Sequence, residues 1–178
     1  MIETERLRLR NWREEDIAPF LTHLNTPAVM KWLGGVNADD LLADVVRDRF
    51  MVWQERLGHT FWVAERRQDD AFLGFCGLKI ANDRGSPVEG EVEVGWRFRE
   101  DVWGQGYAKE GAIASLDFAF DRLQAPQVVA LTVAGNTPSW GLMERLGMTR
   151  RPDLDYAGPD WAEGIVNVYV IRRVEWRR

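Results

Sequence analysis

Residues 88–111 read VEGEVEVGWRFREDVWGQGYAKEG. Their first part alternates, so a strand over Val88–Phe98 puts Val92, Val94, Trp96 and Phe98 on one face and Glu91, Glu93, Gly95 and Arg97 on the other. The first face reads as core and the second as acidic. Gly104-Gln105-Gly106 then breaks the alternation, and Ala112, Leu116, Ala119, Phe120 and Leu123 recur at helical spacing, which predicts a helix from about Gly106 to Leu123. No Ser, Thr, Asp or Asn stands where that helix would be capped, so its first backbone N–H groups have no side-chain partner. Glycines let a ligand approach the backbone and the helix dipole adds partial positive charge, which together suit a diphosphate. An ordinary tight strand-to-helix connection has the same spelling, and Gly-x-Gly alone does not separate the two.

Upstream, Glu5–Asn11 alternates, with Leu7 and Leu9 opposite Arg6, Arg8 and Arg10, as in a half-exposed strand. Helical periodicity covers Glu14–Leu24 and Asp39–Leu57, the second with a stripe of Leu42, Val45, Val46, Phe50 and Trp53. Between them Met30, Trp32 and Leu33 precede Gly34-Gly35, a turn expected to carry exposed apolar groups. Phe61–Glu65 and Ala71–Ile80 read as a hairpin turning at Gln68-Asp69-Asp70, and Asn82–Gly90 as a loop. Downstream, the nearly unbroken apolar run Val128–Val133 suits a strand covered on both faces. Thr137 is the expected cap of a short helix with Pro138 at its first position and Gly147 closing it, and Val166–Ile171 is a last strand. No repeat or linker divides the 178 residues, so one α/β domain over residues 1–178 is expected.

Composition excludes several classes. A net charge of -5 gives no clustered cation to hold nucleic-acid phosphates, so no nucleic-acid partner is expected. Apolar runs of membrane-spanning length are absent, and Met1–Arg10 has no leader pattern, so neither a membrane nor a secretory route is expected. The single cysteine, Cys76, lies mid-strand among apolar neighbours and reads as an inert buried thiol in a cytoplasmic protein. His23 and His59 have no ligand-spaced partners; both read as surface histidines, and no metal is expected. Of the nine tryptophans, Trp53, Trp62 and Trp96 fall at core-facing positions, whereas Trp32 and Trp161 lie in loops beside glycines, where they suit an acceptor pocket, a dimer contact or neither. Oligomeric state stays open, a homodimer included.

The run Glu93-Val94-Gly95-Trp96, then Trp103-Gly104-Gln105-Gly106-Tyr107-Ala108, then Asn136-Thr137-Pro138-Ser139 and Glu144-Arg145-Leu146-Gly147-Met148 resembles the GNAT superfamily of N-acetyltransferases. In particular it is similar to the RimJ/RimL-like branch, which acetylates ribosomal-protein N-termini. The ends match too, through Thr4-Glu5-Arg6-Leu7-Arg8-Leu9-Arg10 and the segment from Tyr169 to Trp176, so the likeness spans nearly the whole chain. The resemblance implies a twisted, mixed, mostly antiparallel sheet with flanking helices, splayed between its fourth and fifth strands, Val88–Phe98 and Val128–Val133. It implies acetyl-CoA as co-substrate, with amides across Phe98–Val102 on the pantetheine arm and those of Trp103, Gly104, Gln105, Gly106, Tyr107 and Ala108 on the pyrophosphate. Asn136 would bond the cofactor arm or the acetyl group; a local turn that finishes the strand is its other use. The acceptor would be a primary amine, on a protein N-terminus or a small molecule.

An amine with a pKa between roughly 8 and roughly 10 must lose a proton before it attacks a thioester. Glu93, on the polar strand face leading into the turn, is the first candidate base, acting through one ordered water, and Glu91 the second. Their other reading is as solvated edge carboxylates paired with Arg97 or Arg99. Backbone amides near Arg97–Arg99 are the expected oxyanion donors, from the family geometry. Ser139 is the candidate to help the thiolate leave, against a plain role in the first turn of its helix. Many GNAT enzymes place a tyrosine where this chain has Met143, so a tyrosine acid is not expected. A non-catalytic acyl-CoA-binding or regulatory module of the same fold is the alternative.

Overall fold

The computed structural model describes residues 1–159, 162 and 164–176. In chain order it contains β1 (Ile2–Glu3), β2 (Leu7–Arg10), α1 (Ile17–Leu24), α2 (Pro27–Met30), α3 (Asp39–Val45), α4 (Val52–Leu57), β3 (Phe61–Arg66), β4 (Phe72–Ile80) and β5 (Val92–Phe98). There follow α5 (Tyr107–Asp121), β6 (Gln127–Val133), α6 (Thr137–Arg145), β7 (Thr149–Arg150), β8 (Tyr156–Ala157) and β9 (Ile165–Arg172). The strands form one sheet in the order β1-β2-β3-β4-β5-β6-β9-β7, with β8 added on β9. Every neighbouring pair is antiparallel except β5 with β6. This is the mixed α/β architecture expected, with helices on both faces.

Side-chain alternation decides which helix covers which face. Leu7, Leu9, Trp62, Ala64, Cys76, Leu78, Val94 and Phe98 share a core with Ala112, Leu116, Ala119 and Phe120 of α5 and with Leu142 and Met143 of α6. The other face presents Phe61, Val63 and Phe75, covered by Phe20 and Leu24 of α1, Leu42 of α3, and Val46 and Phe50 beyond it. Removing these apolar groups from water is worth about 25 cal/mol per Å² buried, so both layers hold the sheet. Residues 46–51 between α3 and α4 are π-helical, and their wider turns keep Leu42, Val46 and Phe50 over the sheet.

Several sequence expectations need correction. The strand begins at Val92, not Val88, because turns at Asp83–Ser86 and Val88–Glu91 take up the preceding residues while the Val88 side chain turns into a core of Ala81, Val129 and Val168. The acidic face of β5 is also packed, since a Cβ on Gly95 would stand 2.8 Å from the Phe61 ring. Met30 is buried rather than displayed on a turn, and His59 is buried, with Nδ1 3.4 Å from the Leu78 carbonyl and its pKa pushed down by burial. Thr137 is inside α6; Asn136 takes the cap position without a side-chain cap hydrogen bond. β7 and β8, two residues each, had no readable alternation. Trp161 lies outside the described residues.

Candidate active site

β5 and β6 pair at one register only, Glu93 opposite Val129, after which the two strands run on unpaired. The opening between Val94–Phe98 and Ala130–Val133 is therefore the splay. Its amide donors follow from the antiparallel alternation of β5 on β4, where alternate N–H groups point to the neighbour. Arg99 N–H donates to the Leu73 carbonyl at 2.9 Å, so that of Phe98, one residue back, points into the splay. Val102 N–H is bonded to the Arg99 carbonyl at 3.3 Å and Trp103 N–H to that of Glu100 at 3.1 Å. The amides of Arg99, Val102 and Trp103 are thus engaged within the protein, which narrows the donor set expected across 97–103.

Beyond them the chain turns through Gly104 (φ 74°) and Gly106 (φ 86°) into α5. Both sit in the left-handed region that side chains disfavour. Among the described residues no acceptor meets the amides of Gly104, Gln105, Gly106 or Tyr107, and α5 has no side-chain cap. The side chains nearby engage carbonyls instead: Gln105 Nε2 donates to the Asp101 carbonyl at 3.0 Å, Arg6 Nη1 to that of Gln105 at 2.9 Å, and Trp103 Nε1 to that of Phe98 at 2.7 Å. The turn therefore presents bare donors on the positive end of a 15-residue helix, a fit for a diphosphate.

Arg6 and Glu110 were not identified from sequence. Glu110, in the first turn of α5, accepts from Thr4 Oγ1 at 2.6 Å, Arg6 N at 2.7 Å and Arg6 Nε at 2.7 Å. The Arg6 guanidinium lies 4.5 Å from the centre of the buried Tyr107 ring. Beside it an open cavity of about 370 Å³ is lined by Glu5, Arg6, Arg66, Arg67, Gln68 and Tyr107. The Thr4–Arg10 repeat was visible, but its partner is 104 residues away.

Glu93 lies beside Lys79 in the β4–β5 register and is 8% exposed. Lys79 Nζ stands 3.0 Å from Glu93 Oε2, and its donor is aligned on Asn82 Oδ1, also 3.0 Å away. Burial pushes the Glu93 pKa up, with the Lys79 charge opposing. The solvated pairing with Arg97 or Arg99 is not what forms: Arg99 binds Asp101 at 2.6 Å, and Arg97 packs over Phe75. Glu91 is half-buried, its carbonyl accepting from Ala81 N at 2.8 Å. Across the splay Asn136 lies past the end of β6 at the cap of α6, its carbonyl accepting from Ser139 N at 3.1 Å and Trp140 N at 3.2 Å. No hydrogen bond to the Asn136 amide group or the Ser139 hydroxyl occurs among the described residues. Ala108 is half-buried in the first turn of α5. Trp32 packs against this junction, since a Cβ on Gly135 would meet its ring at 2.5 Å.

Cys76 is fully buried, its thiol 3.8 Å from Ser115 Oγ and its pKa pushed up to about 12 by burial. No group of three His, Cys, Asp or Glu side chains among the described residues is arranged to hold a metal.

Residues 6–149 match the family model described as acetyltransferase (GNAT) domain. The chain belongs to the GNAT acetyltransferase family. Among its relatives, the YkkB protein of Bacillus subtilis is 34% identical over 151 residues, 82% of this chain and 83% of that one. The N-acetyltransferase p20 of Bacillus licheniformis is 26% identical, covering 94% and 92%. The crystal structure of spermidine N-acetyltransferase from Vibrio cholerae, in complex with CoA and spermine, superposes with a TM-score of 0.73 over 97% of this chain and 98% of that one at 17% identity, a likeness of fold. This GNAT member is an N-acetyltransferase.

Proposed function

We propose that the protein transfers acetyl from acetyl-CoA to a primary amine, on a protein N-terminus or a small molecule, by direct attack. One observation carries this: among the described residues no acceptor meets the amides from Gly104 to Tyr107, which lie at the start of α5 and the mouth of a splay whose apex holds Glu93. The turn binds the diphosphate, and the pantetheine arm follows the splay past Phe98 and Asn136. The co-substrate supplies an activated carbonyl; the rest is done by protein groups. Glu93 takes a proton from the ammonium through an ordered water, and its burial makes it a stronger base than a solvated carboxylate. The neutral amine adds to the carbonyl and the Phe98 N–H bonds the oxygen that gains charge, a donor already fixed by the sheet. When the carbon–sulfur bond breaks, the electron pair leaves on sulfur, the extra proton on the former amine nitrogen passes to that sulfur, and the Ser139 hydroxyl bonds the departing group. Departure needs limited help, because thiols have pKa values near roughly 8.5.

The motif spellings support a RimJ/RimL-like assignment, the family match over residues 6–149 supports a single domain for the chain, and the lone buried Cys76 suits a reducing cytoplasm. Acetyl-CoA consumption measured against peptide N-termini, lysine side chains, polyamines, aminoglycosides and small amino compounds tests the reading. Turnover with at least one class, reduced in Glu93→Gln and Ser139→Ala, is expected. CoA binding without turnover on any amine would leave the non-catalytic module in its place.

A further inference from the structure

The face of β5 that carries Glu93 and Gly95 also carries Arg97, two residues further along. Its guanidinium lies 5.3 Å from the centre of the Phe75 ring, and its Nε is buried with no hydrogen-bond partner. Among the described residues no carboxylate offsets it. Nearby, Glu100 accepts from Thr26 Oγ1 at 3.2 Å and Asp101 is held by Arg99 at 2.6 Å. Arg97 is half-buried, and burying its Nε with no acceptor in reach is costly, while burial pulls its pKa down to about 10. Other half-buried arginines of this chain meet carboxylates: Arg10 meets Asp16 and Glu65, and Arg150 meets Asp155. Arg97 stands apart.

Its place gives the deficit a meaning. Arg97 adjoins Phe98, whose amide points into the splay, and it projects from the α1–α3 face of the sheet, opposite to the face α5 covers. The diphosphate turn, at the start of α5, therefore lies away from this guanidinium. We infer that Arg97 binds an anionic group of the acceptor, so that the preferred acceptors are primary amines bearing a carboxylate close to the amine. A guanidinium forks onto a carboxylate through two parallel N–H donors, holding the amine against the presented carbonyl. Polyamines bring further ammonium charge toward Arg97 and are disfavoured by the same geometry. This rests on the acetyl-transfer reading above and adds a substrate class to it.

Matched acceptors test it: L-amino acids and their carboxamides, compared by kcat/KM in the wild type, Arg97→Lys and Arg97→Met. The wild type should prefer the carboxylates by about tenfold or more, Arg97→Lys should keep part of that ratio, and Arg97→Met should bring it near one. Reactivity of the carboxamides should fall much less than that of the carboxylates, since a neutral amide offers the guanidinium one acceptor and no charge. In the presence of CoA, amino acids should raise the melting temperature of the wild type and not of Arg97→Met. An unchanged ratio in Arg97→Met, or equal loss on both acceptor types, would overturn the assignment while leaving acetyl transfer intact. No turnover on any amine would instead remove the transferase reading, and this inference with it. Calorimetric binding of CoA to Arg97→Met with wild-type affinity is the control for folding.

Discussion

Burial, with the Asp83 charge adding to it and Lys79 opposing, holds the Glu93 pKa above its ordinary value. A base must be ionised to accept a proton, so the acid limb of the rate profile should lie above the usual carboxylate pKa. Glu93→Gln should lower kcat by about a hundredfold and erase that limb, as pH profiles of kcat/KM will read. An unaltered profile would remove Glu93 from the chemistry. Asp155 titrates with the opposite sign: Arg150 at 2.7 Å and then the Val168 amide hold it below its usual pKa. Its contribution to stability is present above the unfolded pKa and is lost as pH falls through the folded one. Asp155→Asn should therefore cost about 1–2 kcal/mol at pH 7 by urea unfolding, and the difference should shrink on acidification. The strand face of Glu93 was legible, because period two is a local property. Its partner Lys79 was not, because the β4–β5 register that joins them is set by packing. His59 was misread for a like reason, since the carbonyl it meets belongs to Leu78 on another strand.

Between elements, the contact that matters most joins the start of β2 to the first turn of α5. Glu110 fixes Thr4 and Arg6, and Arg6 holds the Gln105 carbonyl, so the glycine turn is braced from a strand far away in sequence. Glu110→Gln or Arg6→Ala should raise the Kd for CoA about tenfold by calorimetry with a smaller change in kcat, because the turn's amides would have to be ordered on binding. Equal Kd values would show that the turn is rigid without the brace. Gly106→Ala should be worse than either, through a φ of 86° and a Cβ 3.3 Å from Arg6 Nη2. Long elements were readable from sequence: β4, α5, β6 and β9 each bury a run with one period. The failures sit where local pattern and packing part company. Val88 looks like the first residue of a strand and is instead a buried loop residue, drawn inward by Val129 and Val168. Thr137 looks like a cap, yet the β6 turn moves that position one residue earlier.

Across the molecule, the sheet does two jobs along a single strand. On its β4 side, β5 is fully paired from Val92 to Phe98, which makes it rigid; on its β6 side it pairs once and then parts, which leaves a polar edge between two cores. That edge runs from Glu93, past the Phe98 amide, toward the turn at Gly104–Tyr107, so the proposed base, oxyanion donor and diphosphate cradle come from one continuous stretch of chain. The order of those parts was visible in residues 88–111; which amides are free emerged only once the ladder and the turn hydrogen bonds were placed. Isothermal titration of the full chain with CoA tests the central claim most directly. One molecule should bind per chain with a micromolar Kd, an affinity near roughly 8 kcal/mol, and pantetheine lacking the diphosphate should bind far more weakly. Absence of heat with CoA, or equal binding of CoA and pantetheine, would contradict a diphosphate held by the amides of that turn.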